Sequence, residues 1–468
     1  MLIQSFAGIR GIYGKELNEN TARRYAHVFN RFLKEKAKKP LVIIGNDPRQ
    51  SSEPLKNAVL DVFENIIDIG IVTTPMAELA VRDYKADGGV MLTASHNEPE
   101  YNGFKFLDKD GAVLRPNDIE RIISGFNKIK ELKKADFLDL LSKEKTILHK
   151  IDKKHNDIID RYYTFITKII EKKNVELIKK SDFKVILDPN GGSGIIAKDI
   201  LEKNGIAVIG VNMEYGKFER KIEPNADSLD YLKDIVKKEN IIAAGFDCDG
   251  DRVEVIDEEG KMVSGNYILA LAVDEMLSSI QKPERQVVVI NDVTSNIVRE
   301  IAEKYNAKVI ETEVGEINVV DEMLKNNSIV GGEGSSSGGI FSPSRCRDGI
   351  LTLMMVLRMM AKRKKQLSEI IKDYPEYYNK RAKILFEPAK HDKIKKELKG
   401  RYSKKYKIQQ TGDITGGLKI IIDDRSFLWF RASKTESNVF RIVADSDDKE
   451  KCNQLLEDGI KVFNSIKS

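Results

Sequence analysis

One pattern recurs three times along this chain and narrows what it can become. A basic or polar lead, a β-branched apolar run and a polar turn appear in KPLVIIGNDPRQSS (39–52), FKVILDPNGGSG (183–194) and RQVVVINDVTSN (285–296). Each run is four to six residues long and is closed by Asp, Asn, Pro or Gly, the signature of a buried strand ending in a turn. A helical stretch follows each run. A shorter strand comes next: IDIGIVTTP, GIAVIGVN and NAKVIETEVG. Each unit then delivers an unusual loop, TASHN (93–97), DCDGD (247–251) or GGEGSSSGG (331–339). Alternation of strand and helix on this plan predicts three similar mixed α/β domains. Generic α/β grammar is the bland alternative; the shared element order and the placement of each odd loop after a late strand favour duplication.

With 468 residues, several domains are expected. Lys-rich helical stretches at about 119–180 suggest the first boundary, and the alternation stops near KDYPEYYNK (372–380). The remaining residues read as a smaller α+β unit, with ITGGLKIIIDD, SFLWFRAS and VFRIVAD as antiparallel strands. The expected segments are 1–150, 151–255, 256–372 and 373–468, with function expected where their loops meet.

Charge excludes some functions. The 78 basic and 73 acidic residues leave +5, too dilute for a nucleic-acid footprint, and the runs KEKAKK and KKELKG read as solvated helix faces. Cys248, Cys346 and Cys452 are far apart and lack CxxC spacing, so no zinc site or disulfide framework is expected. MLIQSFAGIRG has neither the basic lead nor the apolar stretch of a signal peptide, and nothing approaches the ~20 apolar residues of a membrane span. A cytoplasmic protein with no membrane partner is the expectation.

Chemistry concentrates in four loops. Ser95 lies in GGVMLTASHNEPEYNGFKF, where an apolar run meets small polar residues and an Asn102-Gly103 turn. A hydroxyl there is exposed to a ligand, with Lys105 as a nearby cation; an ordinary capped turn is the plainer reading. A Ser–His hydrolase built on His96 is weak, since neighbours in sequence rarely pair this way and no GxSxG elbow is present. In GFDCDGDRVEVID, Asp247, Asp249 and Asp251 alternate and can turn their carboxylates to one side. Three such groups tied to apolar flanks require a cation, and hard oxygen ligands select Mg²⁺ or Ca²⁺. The EF-hand register fails, with Arg252 where the glycine belongs. The DxDG nucleophile motif of haloacid-dehalogenase-type phosphatases stays open, and would make Asp247 the phosphoryl acceptor. GGEGSSSGG matches neither GxGxxG nor a P-loop; it presents Glu333 among glycines and serines, suited to sugar hydroxyls unless it is simply a linker. FRASKTESN gathers Arg431, Ser433, Lys434 and Thr435, the fork, hydroxyls and ammonium that a phosphate group needs.

These four loops together resemble the α-D-phosphohexomutases, the phosphomannomutase/phosphoglucomutase/phosphoglucosamine mutase superfamily, from FAGIRGIYG to RASKTESN. The resemblance implies four domains around a central cleft, and an intramolecular phosphotransferase that interconverts hexose 6-phosphate and hexose 1-phosphate through a 1,6-bisphosphate. It implies a phosphoserine at Ser95, and Mg²⁺ on Asp247, Asp249, Asp251 and a phosphoserine oxygen. Arg10, Lys105 and Arg252 match the basic positions around the reacting phosphoryl, and Lys105 is the chosen proton acceptor. Glu333, His96, Gly315 of VGEINV and Ser335 are assigned to the sugar phosphate; Arg431, Ser433, Lys434 and Thr435 are assigned to its distal phosphate. The chain departs from the family at Glu98, where TASHNP has proline, at the absent GHxxF histidine, which gives GGEGSSSGG the archaeal form, and at Lys434 and Ser437. Neither the hexose nor the oligomeric state is fixed, a homodimer being one option. An Asp247-nucleophile phosphatase and a non-catalytic sugar-phosphate binder are the competing classes.

Overall fold

The computed structural model describes residues 2–6, 8–144, 150–334, 337–413, 415–433 and 438–467, with the backbone alone for 142–144 and 467. Its strands form four sheets. The first holds β1 (Ile3–Ser5), β2 (Gly8–Ile12), β3 (Leu41–Asn46), β4 (Asn65–Ile71), β5 (Gly88–Leu92), β6 (Tyr101–Asp108) and β7 (Lys150–Lys153), ordered β1-β2-β6-β5-β3-β4-β7. The second holds β8 (Lys184–Asp188), β9 (Ala207–Gly210), β10 (Ile242–Phe246), β11 (Val253–Ile256) and β12 (Met262–Val263), ordered β12-β11-β10-β8-β9. The third holds β13 (Val287–Asn291), β14 (Lys308–Thr312), β15 (Val330–Gly332) and β16 (Gly339–Phe341), ordered β14-β13-β15-β16.

The duplication expected from sequence is visible in these orders. In each sheet the first strand of the repeat is central, with the second and third parallel on either side of it. A fourth strand then runs antiparallel to the third. Each odd loop is the link from third strand to fourth. Parallel strands covered on both faces need near-continuous apolar sequence, which is why GGVML and IAAGF are buried at every position. Helices fill the other links: Ser52–Leu60 and Thr74–Asp83, Ala197–Lys203 and Leu232–Glu239, Asn296–Lys304 and Glu316–Lys325.

The fourth sheet is antiparallel throughout: β17 (Tyr378–Leu385), β18 (Lys407–Gln410), β19 (Leu418–Asp423), β20 (Ser426–Ala432) and β21 (Val439–Ser446), ordered β17-β21-β20-β19-β18. The helices His391–Tyr402 and Lys449–Lys467 share a core with it that includes Ile394, Leu428, Phe440 and Phe463.

By contact the chain divides into two compact units, one of residues 1–263 and 343–367, the other of 264–342 and 368–468. In the first, helix Glu19–Lys34 starts where the Asn18 side chain accepts from Thr21 N at 2.9 Å. Its Tyr25, Phe29 and Leu33 then face one core with Phe104 and Phe106. The late helix Gly349–Arg363 belongs to this unit and is buried from Gly349 to Ala361. The three cysteines are buried and not joined by disulfides. Among the described residues no helix is long and apolar enough to cross a membrane.

Candidate active site

The first unit brings Ser95, His96, Arg10, Lys105, the three aspartates and Arg252 together. β5 delivers Ser95 into a tight turn, where it is 2% exposed with φ +51°. Ser95 N donates to Thr93 Oγ1 at 2.8 Å, and Ser95 Oγ donates to Asp247 Oδ2 at 3.1 Å. The His96 ring is 3.5 Å from the same Oγ, at the outer limit of a hydrogen bond. Its imidazole is held well below its ordinary pKa, first by the charge of Arg252, then by burial and Arg10.

Arg10 lies on β2 opposite Gly103 of β6, where a Cβ would run into the Ile9 carbonyl. Glycine at 103 therefore lets the two strands close, and Arg10 Nη1 donates to Asn97 Oδ1 at 2.6 Å. Burial, and then Arg252, bring Arg10 down to about 10.

The aspartates follow β10 and are buried to 0% exposure, with one oxygen of each within 4.8 Å of the others. Gly250 makes the turn at φ +66°, where a Cβ would meet Thr73 Cγ2 at 2.8 Å. Lys105 Nζ donates to Asp249 Oδ2 at 2.7 Å and to Asp251 Oδ2 at 2.9 Å, and Thr74 Oγ1 donates to Asp249 Oδ2 at 2.6 Å. Arg252 Nε lies 3.8 Å from Asp247 Oδ2 and from Asp251 Oδ1; Arg347 Nη2 lies 3.7 Å from Asp251 Oδ2.

Burial, then the charges of Asp251 and Asp249, push Asp247 well above the usual carboxylate range. Burial acts the same way on Asp251, but Lys105, Arg347 and Arg252 outweigh it and hold that group low. Asp249 Oδ1 and Asp251 Oδ1 are buried without a hydrogen-bond partner. Orphaned carboxylate oxygens are costly unless a cation meets them. The trio thus offers a site for a divalent metal with hard oxygen ligands.

In the second unit the candidate residues come from the end of β15, from β20 and its end, and from the loop before helix Glu316–Lys325. Glu333 is 7% exposed, and its Oε1 accepts from Asn291 Nδ2 and from Gly315 N, both at 2.9 Å. Gly315 precedes helix Glu316–Lys325 with φ +137°, a conformation that favours glycine. Arg431, near the end of β20, pairs with Glu313 Oε1 at 3.0 Å. Ser433 N donates to Val439 O at 2.8 Å. Ser335, Lys434 and Thr435 lie outside the described residues.

Five polar neighbours were not anticipated: Arg49, Thr74, Arg347, Asn291 and Glu313. All but Arg347 stand inside the repeated strand–turn segments, and that repetition was their available signal. Arg347, in CRDG, carries none.

Three family models match consecutive stretches: the phosphoglucomutase/phosphomannomutase α/β/α domains I (2–133), II (160–260) and III (264–378). A phosphoglucomutase/phosphomannomutase of Thermococcus kodakarensis is 34% identical over 97% of both chains. The chain belongs to the α-D-phosphohexomutases. It is an isomerase of that family, a phosphohexomutase. A phosphoglucosamine mutase of Methanococcus maripaludis is 30% identical, again over 97% of each chain. Among solved structures, a phosphoglucomutase/phosphomannomutase family protein of Burkholderia thailandensis shares the fold, with a TM-score of 0.80 at 19% identity over 99% of this chain and 97% of that one. The phosphatase and binder readings find no support in these matches.

Proposed function

We propose that this phosphohexomutase carries its phosphoryl group on Ser95 and interconverts hexose 6-phosphate and hexose 1-phosphate in the cytoplasm. Phosphorylated Ser95 gives its phosphoryl to the free hydroxyl of a hexose monophosphate. The Ser95 Oγ–P bond breaks, a sugar O–P bond forms, and the hydroxyl proton leaves to a base, a role assigned to Lys105. The resulting hexose 1,6-bisphosphate turns round and returns its other phosphoryl to Ser95. Such a transfer places little covalent demand on the protein, so positioning and charge stabilisation do most of the catalysis.

Arg10 and Arg252 supply cationic groups around the transferring oxygens, and Lys105 joins them once it holds the hydroxyl proton. Mg²⁺ held by Asp247, Asp249, Asp251 and a phosphoserine oxygen would neutralise charge on the phosphoryl group. His96, whose ring is kept neutral, can contact the substrate without adding charge. Glu333, with Gly315 and Ser335, is assigned to the sugar hydroxyls, and Arg431, Ser433, Lys434 and Thr435 to the non-transferring phosphate. The segments 1–150, 151–255, 256–372 and 373–468 would then contribute one loop each.

What carries this reading is the 3.1 Å bond from Ser95 Oγ to Asp247, in a trio whose orphaned oxygens call for a cation. Peptide mass spectrometry tests it. The TASHN peptide should carry a phosphoryl that disappears on adding a hexose monophosphate, and Ser95→Ala should lose at least about 10³-fold in kcat. A Ser95→Ala enzyme with full mutase activity would remove the role given to Ser95. Phosphate release with a phosphorylated Asp247 would instead support the phosphatase. Assays on glucose, mannose, glucosamine and N-acetylglucosamine phosphates assign the hexose.

A further inference from the structure

The turn that closes β3, NDPRQSS, has no part in the chemistry above, yet it holds a buried cation. Arg49 and its partner Asp47 have no side-chain exposure. The guanidinium has five N–H donors in a rigid plane, and all five are used. Nε donates to Asp47 Oδ2 at 3.0 Å. Nη1 donates to the carbonyls of Glu98 (2.6 Å) and Tyr101 (3.0 Å), and Nη2 to those of Ser95 (2.8 Å) and Asn97 (2.6 Å). Four carbonyls of the serine loop therefore converge on one side chain.

Asp47 is itself anchored. It accepts from Arg49 N at 3.2 Å and Ser52 Oγ at 2.9 Å, and its own N–H donates to Leu92 O at 2.9 Å. Asn102 Nδ2 reaches Ser51 Oγ and Ser52 Oγ at 2.9 and 3.0 Å, tying the far end of the loop to the same turn.

The clamp grips a residue in an unfavourable conformation. Ser95 at φ +51° lies in the left-handed region, which a non-glycine residue adopts only where its surroundings over-determine it. Arg49 Nη2 holds the carbonyl of that same residue, and Thr93 Oγ1 holds its N–H. Without that hold, Ser95 would be free to relax toward the negative φ that non-glycine residues prefer, which would change the aim of Oγ relative to Asp247.

We propose that Arg49 is a positioning residue that keeps Ser95 in its left-handed conformation and so aims Oγ for phosphoryl transfer. The proposal rests on Ser95 being the phosphoryl carrier. Lysine, with three donors at one point, cannot reproduce the planar fork.

The test uses full-length wild type and Arg49→Lys, each first stripped of phosphoryl with a hexose monophosphate, then given Mg²⁺ and glucose 1,6-bisphosphate as phosphoryl donor. In this half-reaction a sugar O–P bond breaks, the Ser95 Oγ–P bond forms, and the serine proton passes to the departing sugar hydroxyl. Rapid-quench mass spectrometry follows phosphate arriving on Ser95. A variant with wild-type near-UV circular dichroism should be phosphorylated about 10²-fold more slowly, the scale expected of a misplaced reacting atom. KM for hexose monophosphate should change less than about threefold, because the side chain touches no substrate. Should Arg49→Lys lose the native spectrum, Asp47→Asn takes its place. It removes the charge that anchors Nε and turns one of the two accepting oxygens into a donor, and should give the same split at about tenfold.

Equal phosphorylation rates in a phosphorylated wild type and a folded variant overturn the proposal alone, as does a KM that rises in step with the fall in kcat. A wild type that accepts no phosphoryl on Ser95 overturns the parent reading, and this proposal with it.

Discussion

Ion pairs decide how the candidate residues of each unit behave without ligands. Lys105 lies between Asp249 and Asp251 at 2.7 and 2.9 Å, while the next cations, Arg347 and Arg252, stand 3.7 and 3.8 Å from Asp251. Lys105→Met keeps the apolar stem but leaves buried carboxylates facing each other. Breaking a buried pair in this way costs about 3 kcal/mol or more, so the variant should melt well below wild type in EDTA. Excess Mg²⁺ should restore part of the loss, about 2.7 kcal/mol at a hundredfold excess over Kd. Identical melting in EDTA and Mg²⁺ would count against a metal on the trio. Arg431 meets Glu313 at 3.0 Å, so a phosphate that uses this guanidinium competes with a resident carboxylate. Glu313→Gln should lower KM for the hexose monophosphate about tenfold, the scale of one charge-assisted hydrogen bond; an unchanged or raised KM shows that Glu313 orients Arg431 rather than opposing the ligand. Asp247, Asp249 and Asp251 could be singled out from sequence because alternating carboxylates beside apolar runs are locally unusual. Glu313 and Arg49 have only their place in a repeated segment to mark them, because the partner that defines each is more than 40 residues away.

Elements are tied to one another by buried polar groups, and these set the pH response. In the second unit, Asp445 on β21 accepts from Asn296 N, at the start of helix Asn296–Lys304, at 2.9 Å and from Asn379 Nδ2 of β17 at 3.1 Å. Burial pushes this carboxyl up to about 6 against the pull of those donors. Its folded value lies above its unfolded one, so between about pH 4 and 6 the native state binds more protons. Stability therefore falls as pH rises through that window, and the cost is complete above about pH 6. Asp445→Asn keeps an acceptor for Asn296 N without a charge. Its advantage over wild type should grow from near zero at about pH 4 to about 2 kcal/mol at about pH 7, measured by urea unfolding. A gap that does not vary with pH would place the raised carboxyl elsewhere. The strands themselves were legible, since parallel strands buried on both faces leave unbroken apolar runs in the sequence. The links between sheets were not, since one aspartate in VFRIVAD looks like any strand terminus.

At the scale of the whole molecule, repetition and compactness are different properties. The three repeats follow one another in sequence, each giving the same strand order and the same third-to-fourth-strand loop. Compactness cuts across them, because helix Gly349–Arg363 follows the last strand of the third repeat yet packs in the first unit. Periodicity could reveal the helix but not its destination, since a helix apolar all round can be buried anywhere. Its partners are specific. Tyr162 Oη donates to Asp348 Oδ1 at 2.6 Å, and Asp348 caps the helix by accepting from Leu351 N at 3.0 Å. Arg358 Nη1 reaches the carbonyls of Ile169 and Ile170 at 3.3 and 3.4 Å. A Cβ on Gly349 would stand 2.9 Å from the carbonyls of Gly250 and Arg252, so the helix start abuts the aspartate loop. Residues 1–263 alone therefore lack a wall of their own core and the backing of that loop. This fragment should keep helical circular dichroism but lose near-UV signal and bind ANS, as a compact state without fixed packing does. Fusing residues 343–367 to its end through a flexible linker long enough to reach should restore a cooperative transition. A bare 1–263 fragment that melts cooperatively and binds no ANS would show that the late helix decorates the first unit instead of completing it.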